Sequence, residues 1–564
     1  MPNRPLPTYW PLPVALGLSF SGWAQTPPDA GSLRQQIEQQ RPLPLPAARP
    51  QSAPLPPQIQ PTSGMTVMVK SFRFAGNNLL SSEQLATALQ AFVGQQLDFA
   101  GLQRAADAVA TAYRQAGWIV RVYLPEQDIS EGTLTLQVIE ARFAGLLFEG
   151  ENTQRVTRDR LQAFFAQQLA TGQALDANKL DRALLLADDL PGISVAGTLA
   201  PGASEGETAL ALQTTDEPLI YGDIGLDNTG AISTGSERLT ANLNINSPTG
   251  RGDLLSLNVL RTQGSDYGRI AYTQPFGFSG LRLGISASHM QYKVVDGPQS
   301  TRDLNIQGSS SSMGLDWSYP LLRARLQNVY FSGGLEAKRF YSDNSSSTPD
   351  NAKSYSDYNT NAFRLGLSGN LFDNWGQGGA NSASAQWLQG QLSNMRAHSL
   401  VNSIDRSYSK INYSLSRQQT ITGAHTVLLS LQGQHANQAL DSSEKFYIGG
   451  SGTVRAYPVS ELGGESGQVL AAEWRWRVNP SWVLSAFIDQ GSVVSLPTTS
   501  GDPKSTLSLS GHGLSANWQG PGGISTRITW AHRNGNNPKP TASGTDSDGT
   551  LKRNRAWLSA SVPF

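Results

Sequence analysis

The sequence predicts a mainly β protein: a transmembrane antiparallel β-barrel preceded by two small α+β modules and a short N-terminal helix. Three observations lead there. Beyond Leu219, helical periodicity gives way to short runs alternating apolar and polar residues up to Phe564. Before that point one β-α-α-β-β order occurs twice, and the N-terminus reads as an export signal. The expected units are a signal peptide (1–24), a helix-bearing segment (25–41), a proline-rich linker (42–66), two modules (67–143 and 144–216) and a barrel (217–564).

The export signal rests on Arg4, an apolar run from Trp10 through Leu18 to Trp23, and small residues at the −3 and −1 positions in Gly22-Trp23-Ala24. A membrane anchor is the alternative, but Pro11 and Pro13 interrupt the run, which falls short of the ~20 residues a spanning helix needs. Next, Ser32 to Gln40 carries a helical pattern, and Pro42 to Pro61 is a stretch whose fixed φ angles and missing donors favour an extended linker. The residues alone fit either a tethered helix or a disordered tail.

In the first module, Val69, Phe72 and Phe74 mark a strand ended by Gly76-Asn77. Ser81 and Gln84 form a capping box for a helix bearing Leu85, Leu89 and Phe92. A second helix runs through Leu102, Ala105, Val109, Ala112 and Tyr113 to Gly117, and alternating strands follow at Trp118–Leu124 and Leu134–Val138. The second module repeats this order: a strand at Leu146 and Phe148, helices at Leu161–Leu169 and Leu180–Leu190, and strands at Ile193–Val195 and Ala209–Leu212.

In the C-terminal part, Leu239, Ala241, Leu243 and Ile245 alternate with polar residues, as do Leu255, Leu257 and Val259. Lipid demands a closed sheet with its apolar face outward and tolerates a polar lumen, which suits some 345 residues of this kind. Residues 294–312, 341–358, 496–507 and 533–553 read as extracellular loops, and Ser247-Pro248-Thr249-Gly250 as a short turn on the other side. Leu558, Ala560, Val562 and Phe564 share one face of the last strand.

Composition narrows the chemistry. Equal numbers of basic and acidic residues, 43 each, argue against nucleic acid as a partner. The absence of cysteine removes disulfides, thiolate nucleophiles and thiolate metal sites. His289, His398, His425, His435, His512 and His532 show no metal-ligand spacing, and no nucleophile elbow or phosphate-binding loop occurs. No catalytic residue, metal or cofactor is assigned, and the chain does not read as an enzyme.

Two segments place opposite charges in unusual settings. Phe446 to Tyr457 is a glycine-rich loop carrying Arg455 between apolar neighbours, and Phe487-Ile488-Asp489-Gln490-Gly491 puts a carboxylate inside a strand pattern. If Asp489 faces the lumen it can take Arg455 bidentately; the alternative is that the two never meet.

These segments, with Leu184 to Gly192, Pro201-Gly202, Asp227-Asn228-Thr229-Gly230 and Pro248 to Asp253, resemble the outer-membrane transporters of two-partner secretion over nearly the whole mature chain. The resemblance implies sixteen strands, two periplasmic polypeptide-transport-associated (POTRA) domains that capture an unfolded partner exoprotein, and a plug helix near Leu33 to Gln40. It implies that Val454-Arg455-Ala456-Tyr457 is the tip of a loop folded into the lumen, with Asp489, Phe487 and Gly491 on the wall and Glu473 a further wall partner. It also makes Phe564 an assembly signal for the barrel-assembly machinery, with outer-membrane lipid around the barrel. Ala456 stands where the family usually has glycine, and a methyl group there would disfavour a positive φ. The rival readings are an outer-membrane assembly factor, which would share the arginine and aspartate, and a passive porin or receptor, which has no use for two strand-adding modules.

Overall fold

The computed structural model describes residues 28–39, 66–128, 131–150, 152–297, 302–303, 305–344, 355–397, 407–496 and 504–564. The signal peptide and the Pro42 to Pro61 stretch lie outside the described residues.

Helix α1 is Ala30–Gln39. The first module then contains α2 (Ser82–Ala88) and α3 (Phe99–Gln115), beside a sheet in which Ser71–Ala75 runs parallel to Thr133–Glu140 and Val120–Tyr123 runs antiparallel to it. Both halves of the Ser81/Gln84 capping box form, and Gly117 with φ 87° ends α3, a conformation a side chain would disfavour. Thr66–Met68 and Gln96–Asp98 make a second, two-stranded sheet that three-residue segments do not announce in sequence. The apolar faces of the helices meet Leu134, Leu136 and Val138 in a single core.

The second module has the same topology. Arg142–Glu149 runs parallel to Glu207–Asp216, Ile193–Pro201 runs antiparallel to it, and α4 (Arg158–Gln168) and α5 (Ala177–Asp188) cover the sheet. Backbone bonds from Ile119 to Leu175 and from Ala177 to Gly117 tie the two modules together.

Among the described residues sixteen antiparallel strands, from Ile220–Asp227 to Asn554–Pro563, close into a barrel, the last pairing with the first. Leu226, Val259, Ile285, Leu335, Leu367, Leu415, Leu514 and Leu558 stand on the outer surface, while Asn242 bonds Asn258 and Asp223 on the inner one. That is the inverted amphipathicity of a sheet in lipid. Three expected loops need correction, because the flanking strands are longer: Ile306–Arg323, Gln327–Asn344, Tyr355–Asp373 and Ser505–Gln519. Their outer ends, such as Ser309 to Ser312, are polar on both faces, so the alternation that reveals a lipid-facing strand is missing there.

The second module is clamped to the short-turn end of the barrel. Arg323 holds Asp189 through two 2.7 Å bonds, Arg325 pairs with Asp181 at 2.7 Å, and Arg182 donates to the Pro320 carbonyl. Asp189→Ala would leave the buried Arg323 guanidinium without its carboxylate and should weaken docking by about 3 kcal/mol. Pulsed electron paramagnetic resonance between labels on α4 and the barrel should then show a broadened distance distribution; an unchanged one would mean that the pair does not hold the module.

Candidate functional site

Two features occupy the lumen. The first is a re-entrant loop, in which Phe446–Ile448 pairs with Leu462–Gly464 and the intervening tip folds against the wall. Val454, Arg455, Ala456 and Tyr457 are all buried. Arg455 sits at the centre of this contact. Its Nε and Nη2 donate to the two oxygens of Asp489 at 2.9 and 2.8 Å, and its Nη1 donates to Glu473 at 2.8 Å. The guanidinium carbon lies 3.3 Å from the centre of the Phe487 ring, and the Trp557 indole donates to the Arg455 carbonyl at 2.7 Å. All three guanidinium nitrogens donate to carboxylates while one face rests on the Phe487 ring, a combination suited to a planar, five-donor cation. Asp489 and Phe487 share the lumenal face of their strand while Ile488 faces lipid.

Glycines let the tip approach. A Cβ on Gly491 would stand 2.8 Å from Val454, and one on Gly511 would stand 2.5 Å from the Ala456 methyl group. Ala456 is not among the residues with positive φ, so its methyl group brings no backbone strain and instead fills the space above Gly511. Sequence reading missed the outer support of this loop. Glu461 accepts from the Ser547 amide and hydroxyl, and Asp546 pairs with Arg533 at 2.9 Å. No local signal announced it, since aspartates such as Asp546 and Asp548 in a polar loop are ordinarily solvated and their burial appears only in the folded barrel.

The second feature is α1, which lies inside the barrel. Leu33 and Arg34 are buried, Asp29 accepts from the Ser442 hydroxyl at 2.9 Å, and Arg34 donates to Ser312 at 2.6 Å. Glu38 and Arg34 pair with each other at 2.7 Å. Lys338, on the wall, meets Glu38 of the helix, Glu336 of its own strand and Glu444 of the turn Ser442–Glu444 at 3.3, 3.4 and 3.5 Å, and the wall residue Lys410 meets Glu444 at 2.8 Å. The helix brings one cation and one carboxylate to barrel-domain groups that are themselves paired. Phe564 lies away from both features, at the seam, where its backbone exchanges two 3.0 Å bonds with Gly222.

A closed outer-membrane barrel with a helix and a loop in its lumen and two strand-bearing modules at one mouth defines a class, the POTRA-bearing barrels. The chain belongs to the haemolysin secretion/activation protein ShlB/FhaC/HecB family, whose model matches residues 206–517, and a ShlB-type POTRA domain matches residues 67–141. It is 24% identical over 480 residues to the haem/haemopexin transporter protein HuxB of Haemophilus influenzae strain 86-028NP, covering 82% of each chain. It is 26% identical to the outer membrane transporter CdiB of Escherichia coli O6:K15:H31, covering 82% of this chain and 80% of that one. The solved structure of CdiB from Escherichia coli shares the fold, with a TM-score of 0.66 at 22% identity over 94% of this chain and 95% of that one.

Arg455→Ala would strand the fully buried Asp489 carboxylate and should cost about 3–5 kcal/mol, read as a lower temperature for the heat-induced gel shift of the barrel. Arg455→Lys should recover only part of that loss, because an ammonium cannot span Asp489 and Glu473 together.

Proposed function

We propose that the chain exports an unfolded partner exoprotein through its lumen, with α1 as the resting plug and the Arg455 loop as a fixed internal partition. It is a two-partner secretion transporter of the outer membrane with its POTRA domains in the periplasm. The observation that carries the pathway is a polar lumen that holds a helix, α1, from outside the barrel sequence. Ser382 and Ser416, and Ser384 and Ser414, bond each other at 2.7 Å along one wall, a surface that offers a passing chain hydrogen bonds without apolar adhesion.

The partner's N-terminal signal docks first, on the modules. The strands Val120–Tyr123 and Ile193–Pro201 lie at sheet edges, and Leu199 is 45% exposed, so an extended segment can add as a strand and seat apolar side chains. Helix α1 then leaves. Arg34 and Glu38 depart as a neutral pair, Asp29 gives up only the Ser442 hydroxyl, and Lys338, Lys410, Glu336 and Glu444 remain mutually compensated, so withdrawal leaves no unpaired charge on the barrel. During biogenesis, Phe564 serves as the handle for the barrel-assembly machinery.

Because the chain has no cysteine, a pair introduced at Asp29 and Ser442 can be joined by a short reducible thiol linker without side reactions. Linked protein should block export of the co-expressed partner, and reduction should restore it. Export that continues through linked protein would mean that α1 need not leave. Deleting residues 67–216 should abolish export at unchanged membrane levels, whereas undiminished export would remove the modules from the pathway.

A further inference from the structure

His512 and His532 are separated by nineteen intervening residues in the chain, yet the hairpin register places them directly opposite each other on the outer face of the barrel. Their ring centres are 5.4 Å apart. Each ring is steered by an amide: His512 Nδ1 lies 2.9 Å from Asn534 Oδ1, and His532 Nδ1 lies 2.8 Å from Asn554 Oδ1. An amide oxygen only accepts, so in the neutral imidazoles the proton sits on Nδ1 and the lone pair on Nε2. This outer-shell arrangement is the one that fixes the tautomer and orientation of a metal-ligating histidine.

The spacing agrees. Two imidazoles sharing one tetrahedral ion at about 2.0–2.1 Å per metal–nitrogen bond hold their ring centres roughly 5 Å apart. The position agrees as well. Along the outward row of Ser505–Gln519, Trp518, Ala516 and Leu514 give way at His512 to Ser510 and Ser508, so the pair marks the upper edge of the apolar band, where water reaches it. No group of three metal-ligating side chains gathers among the described residues, so the protein would supply two ligands here and water the rest.

We propose that His512 and His532 bind one divalent transition-metal ion of borderline softness, of the Zn2+, Ni2+ or Cu2+ type. The ion would clip the strands Ser525–Arg533 and Ser505–Gln519 together at the base of the loop 534–553. Nitrogen donors disfavour Ca2+ and Mg2+, which take oxygen.

The test uses the full chain in detergent, purified without a polyhistidine tag. Zn2+ titration should show one saturable site per chain, and Cu2+ should give an electron paramagnetic resonance spectrum with two coordinated nitrogens. His512→Gln and His532→Gln should each lower affinity at least tenfold, and Asn554→Leu, which removes only the orienting amide, should lower it by about 10–100-fold. His289→Gln should change nothing, and heat-modifiable gel migration reports folding for every variant. Saturable binding that survives in the folded double histidine variant, or its absence from the folded wild type, would overturn the assignment.

Discussion

Closure of the sheet is the constraint on which the rest of the molecule depends. In lipid an unpaired backbone donor or acceptor has no water to turn to, so the strand Asn554–Pro563 must find Ile220–Asp227 and complete the ring. Closure then creates a lumen too wide for wall side chains alone to fill. A barrel of this size would leak unless chain from elsewhere were folded into it. The re-entrant loop and α1 answer that need, and their polar groups have to be compensated within a space partly shielded from water.

The two answers differ in how they are charged. The loop carries Arg455 into a wall site with two carboxylates, and its withdrawal would leave the buried Asp489 without a cation, while Glu473 would keep Arg475 at 2.8 Å. Helix α1 carries a pair already neutral, onto wall groups already neutral. On the proposed reading, this difference in charge is what would let α1 leave while the loop stays. The clamp between Asp189 and Arg323 adds a third fixed point, which keeps the second module beneath the same mouth.

What was legible in the sequence followed local periodicity. Period-two runs marked the lipid-facing strands, apolar stripes marked α3 and α5, and the capping box at Ser81 and Gln84 marked α2. The Arg455 loop stood out because a lone arginine among glycines and apolar residues is unusual. Illegible features depend on closure. Glu38, Lys338 and Glu444 are hundreds of residues apart in part, and nothing in their surroundings announces that the ring brings them together. The polar outer ends of the long strands read as loops, since alternation is imposed by lipid and lapses beyond it. His512 and His532 showed no spacing of interest until a hairpin register set them side by side.

The most direct test of lumenal passage is site-specific photo-cross-linking during export of the co-expressed partner. A photoreactive side chain would replace Ser382, on the inner wall, or Leu367, on the lipid face. Adducts between transporter and partner at Ser382 and none at Leu367 are the predicted result. Adducts confined to Leu367 would contradict the account, because the partner would then cross along the outside of the barrel.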